Sequence, residues 1–276
     1  MSLFSVNTNV GAMIALQNLA VINRELMTTR NRISTGLRIS SAKDDGATWA
    51  IAQGQRAESK AYNAVIGSLQ RGQSAVDVGL AAGESVSDLL SQMREKMLAI
   101  TDTSLTTAAK DALNEDYKSL RSQIDRVVGG ADFNGLNLVG PAATARSVKA
   151  LSDTRGGASI DVDAVDLSTT GGIVGSTLAD LHTVTTADLT AMSKAIDDVG
   201  SALGRLGTGA KKLETHLTFV RKLQDTIDAS VGRLVDADMA RESARLQSLQ
   251  VQQQLAIKAL SIANQGPSLL LQLFRN

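Results

Sequence analysis

The sequence predicts a mainly α protein, with long antiparallel coiled-coil helices formed by the N- and C-terminal regions and a small β-rich tip. Aromatic residues make up 3% of the 276-residue chain, so Ala, Leu, Ile and Val must supply the core. Only two prolines interrupt the chain, which leaves long stretches free to be helical. Residues 1–40 and 241–276 each carry a net charge of +3, although the whole chain is neutral. This likeness predicts that the two ends pack together.

The longest helix is predicted to end near Ile100. Small or apolar residues recur about every 3.5 positions from Ala47 to Ile100, which is the period of a coiled-coil seam. At 1.5 Å per residue this helix would run roughly 80 Å, and we therefore expect a rod. The seam positions are 47, 50, 54, 57, 61, 65, 69, 72, 76, 79, 83, 86, 90, 93, 97 and 100.

A second helix is predicted over residues 105–128, folding back against the first. Asp102-Thr103-Ser104 supplies a turn and cap before it, and Gly129-Gly130 ends it. Residues 131–186 then change character. Asn134-Gly135 is a turn signal, and alternation around Ile160 and Val162 predicts a short strand with a polar face.

Helical periodicity returns near Asp188, is blurred over residues 235–238 and then resumes towards the C-terminus. Asn264-Gln265-Gly266-Pro267 is expected to stop the last helix, and an apolar tail, 269–274, follows. The predicted seam positions are Leu203, Leu206, Ala210, Leu213, Leu217, Val220, Gln224, Ile227, Val231, Leu234, Leu249, Ala256, Leu260 and Ala263.

The sequence offers no constellation of residues for catalysis, so we predict a structural protein and not an enzyme. Cys is absent, and His182 and His216 lack partners at metal-ligand spacing, so no metal or cofactor is expected. The carboxylate pairs Asp44-Asp45 and Asp236/Asp238 are explained as helix-start charges and turn formers. Trp49 is expected to be a packing anchor.

Three further classes of function find no support in the sequence. Zero net charge leaves no footprint for nucleic acid. No uninterrupted apolar run approaches the ~18 residues that a membrane-spanning helix needs. The first seven residues lack the basic and apolar regions of a cleavable secretory signal.

Several segments together resemble the bacterial flagellins. The resemblance covers roughly residues 1–140 and 190–276, and it is closest to the short, alphaproteobacterial type that lacks large outer domains. Trp49 departs from it, because many relatives carry a smaller aliphatic residue there. The matching segments are Ser5-Val-Asn-Thr-Asn9, 32–52 with its Ser-Thr-Gly-Leu-Arg-Ile turn and Ala-Lys-Asp-Asp, Asp132-Phe-Asn-Gly135, 233–240, 250–254 and Ala263-Asn264-Gln265.

The resemblance implies a structural subunit that polymerises into the flagellar filament and transmits motor torque for swimming. It implies inner-tube segments at 1–43 and 236–276, core helices at 44–130 and 187–235, and a β-rich tip at 131–186. Type III export to the extracellular space without signal cleavage follows from it. The implied partners are an export chaperone, a filament cap, hook-junction proteins and further flagellin subunits. The residues that it assigns to polymerisation or packing are Gly36, Leu37, Arg38, Asp44, Asp45, Trp49, Asp236, Asp238, Asn264, Gln265, Leu270 and Leu273.

Two secondary expectations concern the exposed surface. Arg94-Glu95 matches a pair that a Toll-like innate receptor reads in many flagellins, but the following Lys96-Met97-Leu98 departs from the usual Leu-Ala-Val and predicts weak recognition. Hydroxyl residues crowd the tip and are either solvated turn formers or, by analogy, glycosylation sites. They are Ser168, Thr169, Thr170, Thr177, Thr183, Thr185 and Thr186.

Two alternatives remain open beside a filament subunit. A hook–filament junction protein shares the terminal motifs, but it should not form micrometre filaments from purified monomer. A non-polymerising coiled-coil adhesin should tolerate deletion of its last ~10 residues, because termini are often dispensable.

Overall fold

The computed structural model describes residues 8–142, 144–177, 180–181 and 183–273, with side chains up to residue 265 except that of Ser176. The described part contains five α-helices: α1 Val10–Thr35, α2 Gly46–Ile100, α3 Thr107–Gly130, α4 Thr186–Val235 and α5 Met239–Leu273. The predicted class, mainly α with long helices and a small β region, is confirmed. His182 lies outside the described residues, as do the beginning of the Ser5–Asn9 segment and the side chains of the 269–274 tail.

Contacts divide the chain into two compact units. The first unit combines the described residues up to Ala57 with those from Thr226 onwards. The second unit runs from Glu58 to Asp225.

In the first unit α1 and α5 pack side by side and antiparallel. The least exposed positions of α5 include Glu242, Leu249, Ala256 and Ala263, which follow a heptad spacing. On α1 the buried side chains are those of Ala12, Leu26 and Thr29. The prediction that the two ends of the chain pair with each other is therefore confirmed.

The predicted α2 seam is correct from Val65 onwards. Each of its positions from Val65 to Ile100 is buried. The prediction is wrong at its start, because positions 47, 50, 54 and 57 are exposed. In this part of α2 the buried residues are Ala52, Ser59 and Tyr62. The buried face of the helix therefore does not coincide with the seam positions that the sequence predicts there.

The α4 seam holds along its length. Every predicted position from Leu203 to Leu234 is buried or half-buried. Gln224, the polar exception, donates from Nε2 to the Ser59 carbonyl at 3.1 Å and to Asn63 Oδ1 at 3.0 Å. The polar seam position therefore meets polar partners on α2.

The start of α3 differs from the prediction. Thr106 is the N-cap, and its Oγ1 accepts a hydrogen bond from the Ala109 N–H at 3.3 Å. Asp102 instead accepts from the Ser104 N–H at 2.8 Å and closes the preceding turn. A threonine therefore takes the capping role that was expected of the 102–104 segment.

The segment 131–185 contains two short hairpins: β1 Asp132–Phe133 with β2 Leu136–Asn137, and β3 Val148–Leu151 with β4 Ser159–Val162. Asn134 (φ 55°) and Gly135 (φ 79°) both adopt the left-handed conformation that a two-residue hairpin turn requires, so the turn prediction is confirmed. The remaining described residues are mostly irregular, with one short 3-10 helix at Ile173–Ser176. "β-rich" therefore overstates the strand content of this segment.

Two glycines seat the β3–β4 hairpin against helices of the second unit. A Cβ on Gly72 of α2 would lie 2.9 Å from Val148 Cγ1, and one on Gly209 of α4 would lie 2.6 Å from Val162 Cγ1. Both distances are below van der Waals contact, so only glycine allows this approach.

The predicted helix stop at Asn264–Pro267 is wrong, because α5 continues through it to Leu273. Proline lacks the N–H that would bond the carbonyl four residues earlier, that of Ala263. Asn9 Nδ2 donates to this carbonyl at 2.7 Å, so the helix passes the proline without an unsatisfied group at that carbonyl.

Candidate assembly interface

The chain between α1 and α2 pairs with the junction between α4 and α5. Gly36 ends α1 in the left-handed conformation (φ 70°), which a glycine adopts without strain. Leu37 then forms an antiparallel bridge with Asp236, and the Ala237 N–H donates to the Gly36 carbonyl at 2.9 Å. Arg38 donates from its backbone to Val235 at 2.7 Å and from Nη2 to the Leu234 carbonyl at 2.6 Å.

Asp44 closes the loop that follows. Its Oδ2 accepts from the backbone N–H and the hydroxyl of both Ser40 and Ser41, at 2.9–3.2 Å. These bonds favour the ionised carboxylate and so hold the pKa of Asp44 below its ordinary value. The bond from the Ser41 backbone N–H makes the largest contribution. The expectation that Asp44 forms a turn is confirmed.

Asp45 and Asp238 begin the two following helices. Asp45 Oδ1 accepts from the Ala47 and Thr48 N–H groups at 3.1 Å, and the Thr48 hydroxyl is foremost among the donors that lower the pKa of Asp45. Asp238 Oδ1 accepts from Ala240 and Arg241 at 3.0 and 3.1 Å. Both carboxylates therefore satisfy free N–H groups at a helix start, as the sequence predicts.

Trp49 packs against a small apolar cluster at the same junction. The cluster consists of Ile39, Ala52, Val231 and Val235, and Leu37 and Leu234 also pack on it. The predicted role of Trp49 as a packing anchor is confirmed.

Polar pairs fix the register of α1 against α5. Their residue numbers sum to nearly the same value, as antiparallel helices require. The pairs are Asn9–Ala263 (2.7 Å), Asn23–Gln253 (2.6 Å), Glu25–Arg245 (3.3 Å) and Arg32–Glu242 (3.2 Å).

The α1–α5 pair leaves many large apolar side chains exposed, by 43–70%. At about 100° per residue, those of α1 fall on two faces, and those of α5 do the same. The side chains are Val10, Ile14 and Val21 on one face of α1, Met13, Leu16 and Met27 on the other, Val251, Leu255 and Ile262 on one face of α5, and Met239 and Ile257 on the other.

One face of each helix combines into a continuous groove of about 600 Å³. It is lined by small residues such as Gly11, Ala256 and Ala259 and by larger apolar residues such as Ile14 and Leu255. Such a groove can accept apolar side chains from another molecule.

Of the other predicted residues, Arg94, Glu95 and Asn264 are exposed, and Met97 is buried while Leu98 is exposed. Gln265 is also exposed, and the side chains of Leu270 and Leu273 lie outside the described part. Ser168, Thr169 and Thr177 are buried, which excludes them as attachment points for a glycan in the folded chain.

Within the described residues, no group of three or more His, Cys, Asp and Glu side chains could hold a metal ion. The helices of that same part include none that is long and apolar enough to cross a membrane.

Two models of one protein family together match most of the sequence. The bacterial flagellin N-terminal helical region matches residues 6–144, and the bacterial flagellin C-terminal helical region matches residues 189–274. The chain belongs to the bacterial flagellin family. Flagellin FljK of Caulobacter vibrioides is 50% identical over the full length of both chains, and the flagellin of Brucella melitensis is 36% identical over 98% of this chain and 99% of its own.

As a flagellin, the protein is a structural subunit of the bacterial flagellar filament. Full-length coverage of alphaproteobacterial relatives confirms the predicted short type. A putative flagellar hook-associated protein from Vibrio parahaemolyticus superposes with a TM-score of 0.57 over 70% of this flagellin and 100% of that chain. At 17% identity it shows a shared fold alone.

Proposed function

We propose that the paired terminal helices α1 and α5 are the element through which this flagellin polymerises. The observation that carries the proposal is the distribution of apolar side chains around both helices. Besides the side chains that the α1–α5 seam buries, each helix exposes large apolar side chains in two further directions. Exposed apolar side chains that cluster on one side of a helix mark a surface for contact with another molecule.

The two remaining faces of each helix need neighbours from outside the chain. Val10 and Val251 mark one exposed face of the pair, and Met27 and Ile257 mark the other. Faces that point in different directions are covered by different neighbouring copies. Such contacts are heterologous and do not close, so repetition generates a helical filament.

The polar pairs between α1 and α5 hold the two helices in one alignment while their apolar faces contact neighbouring copies. Apolar contacts are non-directional, whereas hydrogen bonds such as Asn23–Gln253 specify one alignment of α1 on α5. The bridge between Leu37 and Asp236 fixes the same alignment at the end of the pair.

The proposal also covers where the subunit acts and which other proteins it contacts. The subunit leaves the cell by type III export, guided by an export chaperone, and joins a filament bounded by cap and hook-junction proteins. It acts outside the cell without catalysis or a cofactor, inserts into no membrane and binds no nucleic acid. Asn264, Gln265, Leu270 and Leu273 contribute to contacts between copies at the end of α5.

The proposal includes two roles of the exposed surface, recognition by an innate receptor and glycosylation. Exposed Arg94 and Glu95 are accessible to an innate receptor, but the residues after them differ from the recognised pattern, so we expect weak activation by monomer. Glycosylation is restricted to the exposed threonines Thr170, Thr183, Thr185 and Thr186. An intact mass equal to the sequence mass, for protein taken from native filaments, would exclude it.

Electron microscopy of heated and cooled monomer tests polymerisation directly. Leu255→Lys places a charge in the apolar groove and should abolish filaments. Gln254→Lys, at the adjacent exposed position, is the matched control and should assemble. Circular dichroism should show equal helix content for both variants, because both side chains are exposed.

Deletion of residues 267–276 separates the alternatives. A filament subunit should lose assembly, whereas a coiled-coil adhesin should keep its fold and function. Wild-type monomer that never forms micrometre filaments would favour a hook–filament junction protein and contradict the proposal.

A further inference from the structure

A groove of about 460 Å³ in the second unit, lined by α2, the turn of the first hairpin and strand β3, is basic. Arg71, Arg146 and Lys149 border it, and none of its lining residues carries a carboxylate. All three are exposed. Within the described residues, none of their side chains makes an ion pair or a hydrogen bond to another side chain.

Two neighbouring carboxylates form no ion pair with the cations of this groove. Asp132 accepts the Gly135 N–H at 2.9 Å inside its own turn. Asp161, opposite Lys149 in the hairpin register, accepts the Ser159 hydroxyl at 2.7 Å and lies beyond ion-pair distance of Lys149. Among the described residues, the three cations of the groove therefore have no ion-pair partner, although the unit as a whole has a negative net charge.

A matching set of negative charges lies further along α2. Asp77, Glu84 and Asp88 are exposed, and residues 72–93 contain no Lys or Arg. At about 100° per residue the three carboxylates lie within about 40° of one another, so they form one acidic stripe. Among the described residues none of the three has an ion-pair partner.

Groove and stripe cannot meet within one chain. Arg71 lies about 100–140° around α2 from the three acids, so the two surfaces face different directions on one straight element. Two copies can bring them together, with the stripe of one against the groove of the next. This arrangement is heterologous and leaves a free stripe and a free groove at the ends, as a growing polymer requires.

We propose that the acidic stripe Asp77, Glu84 and Asp88 of one copy docks on the basic groove Arg71, Arg146 and Lys149 of a neighbouring copy. The inference rests on the proposed polymerisation and adds a second, electrostatic contact outside the α1–α5 pair. The three-to-three match of unpaired opposite charges on one chain selects a second copy over an unrelated polyanion. Complementary charge of this kind fixes partner choice and register.

Charge reversal tests the contact. The groove variant carries Arg146→Glu and Lys149→Glu, and the stripe variant carries Glu84→Lys and Asp88→Lys. Each should raise the concentration of chain left unassembled, measured by sedimentation, roughly tenfold or more. Arg155→Glu, in the same hairpin but outside the groove, and Glu58→Lys, about 100° away on α2, are matched controls and should assemble normally.

Mixing the two variants gives the decisive result. An equimolar mixture should assemble although neither variant does so alone, because each reversed surface then meets its complement. One chain that carries all four substitutions should also assemble. Milder variants, Arg146→Gln with Lys149→Gln, should give a smaller loss and guard against misfolding, with helix content checked by circular dichroism.

Normal assembly of either reversed variant, or a mixture that fails, would overturn the contact. Binding of wild-type monomer to heparin, combined with normal assembly of the groove variant, would assign the groove to a polyanion outside the filament. If wild-type chain itself forms no filaments, the proposed polymerisation fails first, so the two failures are distinguishable.

Discussion

Asn9 donates from Nδ2 to the carbonyl of Ala263 at 2.7 Å, across 254 residues of sequence. That carbonyl is the one that Pro267 cannot bond, because proline has no N–H. The other end of the same amide, Oδ1, accepts the Ala12 N–H at 3.0 Å and caps α1. One side chain therefore satisfies the start of the first helix and the proline site of the last.

Substitutions at Asn9 should separate these two roles. Asn9→Asp keeps the capping oxygen but loses the donor, and Asn9→Ala loses both. We expect Asn9→Ala to cost about 1 kcal/mol for the cap and a further 1–3 kcal/mol for the unsatisfied carbonyl. Hydrogen exchange at the first turn of α1 and near Ala263 would report the two losses separately.

Pro267→Ala is the internal control, because alanine restores the helical N–H that bonds Ala263. In that background Asn9→Asp should cost much less than in the wild-type chain. An equal cost in both backgrounds would contradict the link between Asn9 and the proline.

The seating of the β3–β4 hairpin makes a second prediction. Gly209→Ala should destabilise the second unit by roughly 1–3 kcal/mol, because the added Cβ would lie 2.6 Å from Val162 Cγ1. Gly204→Ala, on the same helix with nothing within 4 Å, should be neutral or stabilising by up to about 1 kcal/mol. Urea unfolding measures both variants, and adding Val162→Ala to Gly209→Ala should recover part of the loss.

The sequence predicted the parts of this fold that depend on local repetition. The heptad period located the buried face of α2 from Val65 onwards, and the caps at Asp45 and Asp238 follow from neighbouring residues. It missed contacts between residues far apart in sequence. No residue near Gly209 in the sequence indicates that Val162 packs against it. Pro267 predicts a helix stop because the hydrogen bond from Asn9 to the Ala263 carbonyl is visible only in the structure.

For the candidate interface, too, the sequence identified individual residues but not the contacts between them. Gly36, Leu37 and Asp236 were singled out by resemblance, but the bridge between them is visible only in the structure. No local sequence signal predicts the groove at Arg146 and Lys149, because its third cation, Arg71, lies on a different element.

The loop around Asp44 makes a prediction about pH. Hydrogen bonds from Ser41 and Ser40 lower the pKa of Asp44, so this carboxylate stabilises the folded loop at pH values above its ordinary pKa of 3.8. That contribution should be lost as pH falls below 3.8 and through the lower folded pKa. NMR titration of the Ser40 and Ser41 amides should show a midpoint below 3.8, and Asp44→Asn should abolish it.

The ion pair between Arg32 and Glu242 should matter more than the one between Glu25 and Arg245, although both join α1 to α5. Glu242 is 8% exposed and its Oε2 is buried with no hydrogen-bond partner in the described structure, whereas the side chains of Glu25 and Arg245 are about half exposed. Arg32→Met would leave a buried carboxylate unpaired and should destabilise the first unit by roughly 2–4 kcal/mol, whereas Arg245→Met should cost less than about 1 kcal/mol.

Removing both partners of the buried pair provides the test of mechanism. The double variant Arg32→Met with Glu242→Met replaces two charges by apolar side chains and should be more stable than Arg32→Met alone, since no unpaired charge remains. Thermal unfolding of the three variants and of Arg245→Met gives the comparison. A double variant no more stable than Arg32→Met would show that Arg32 acts through packing of its aliphatic stem and not through its charge.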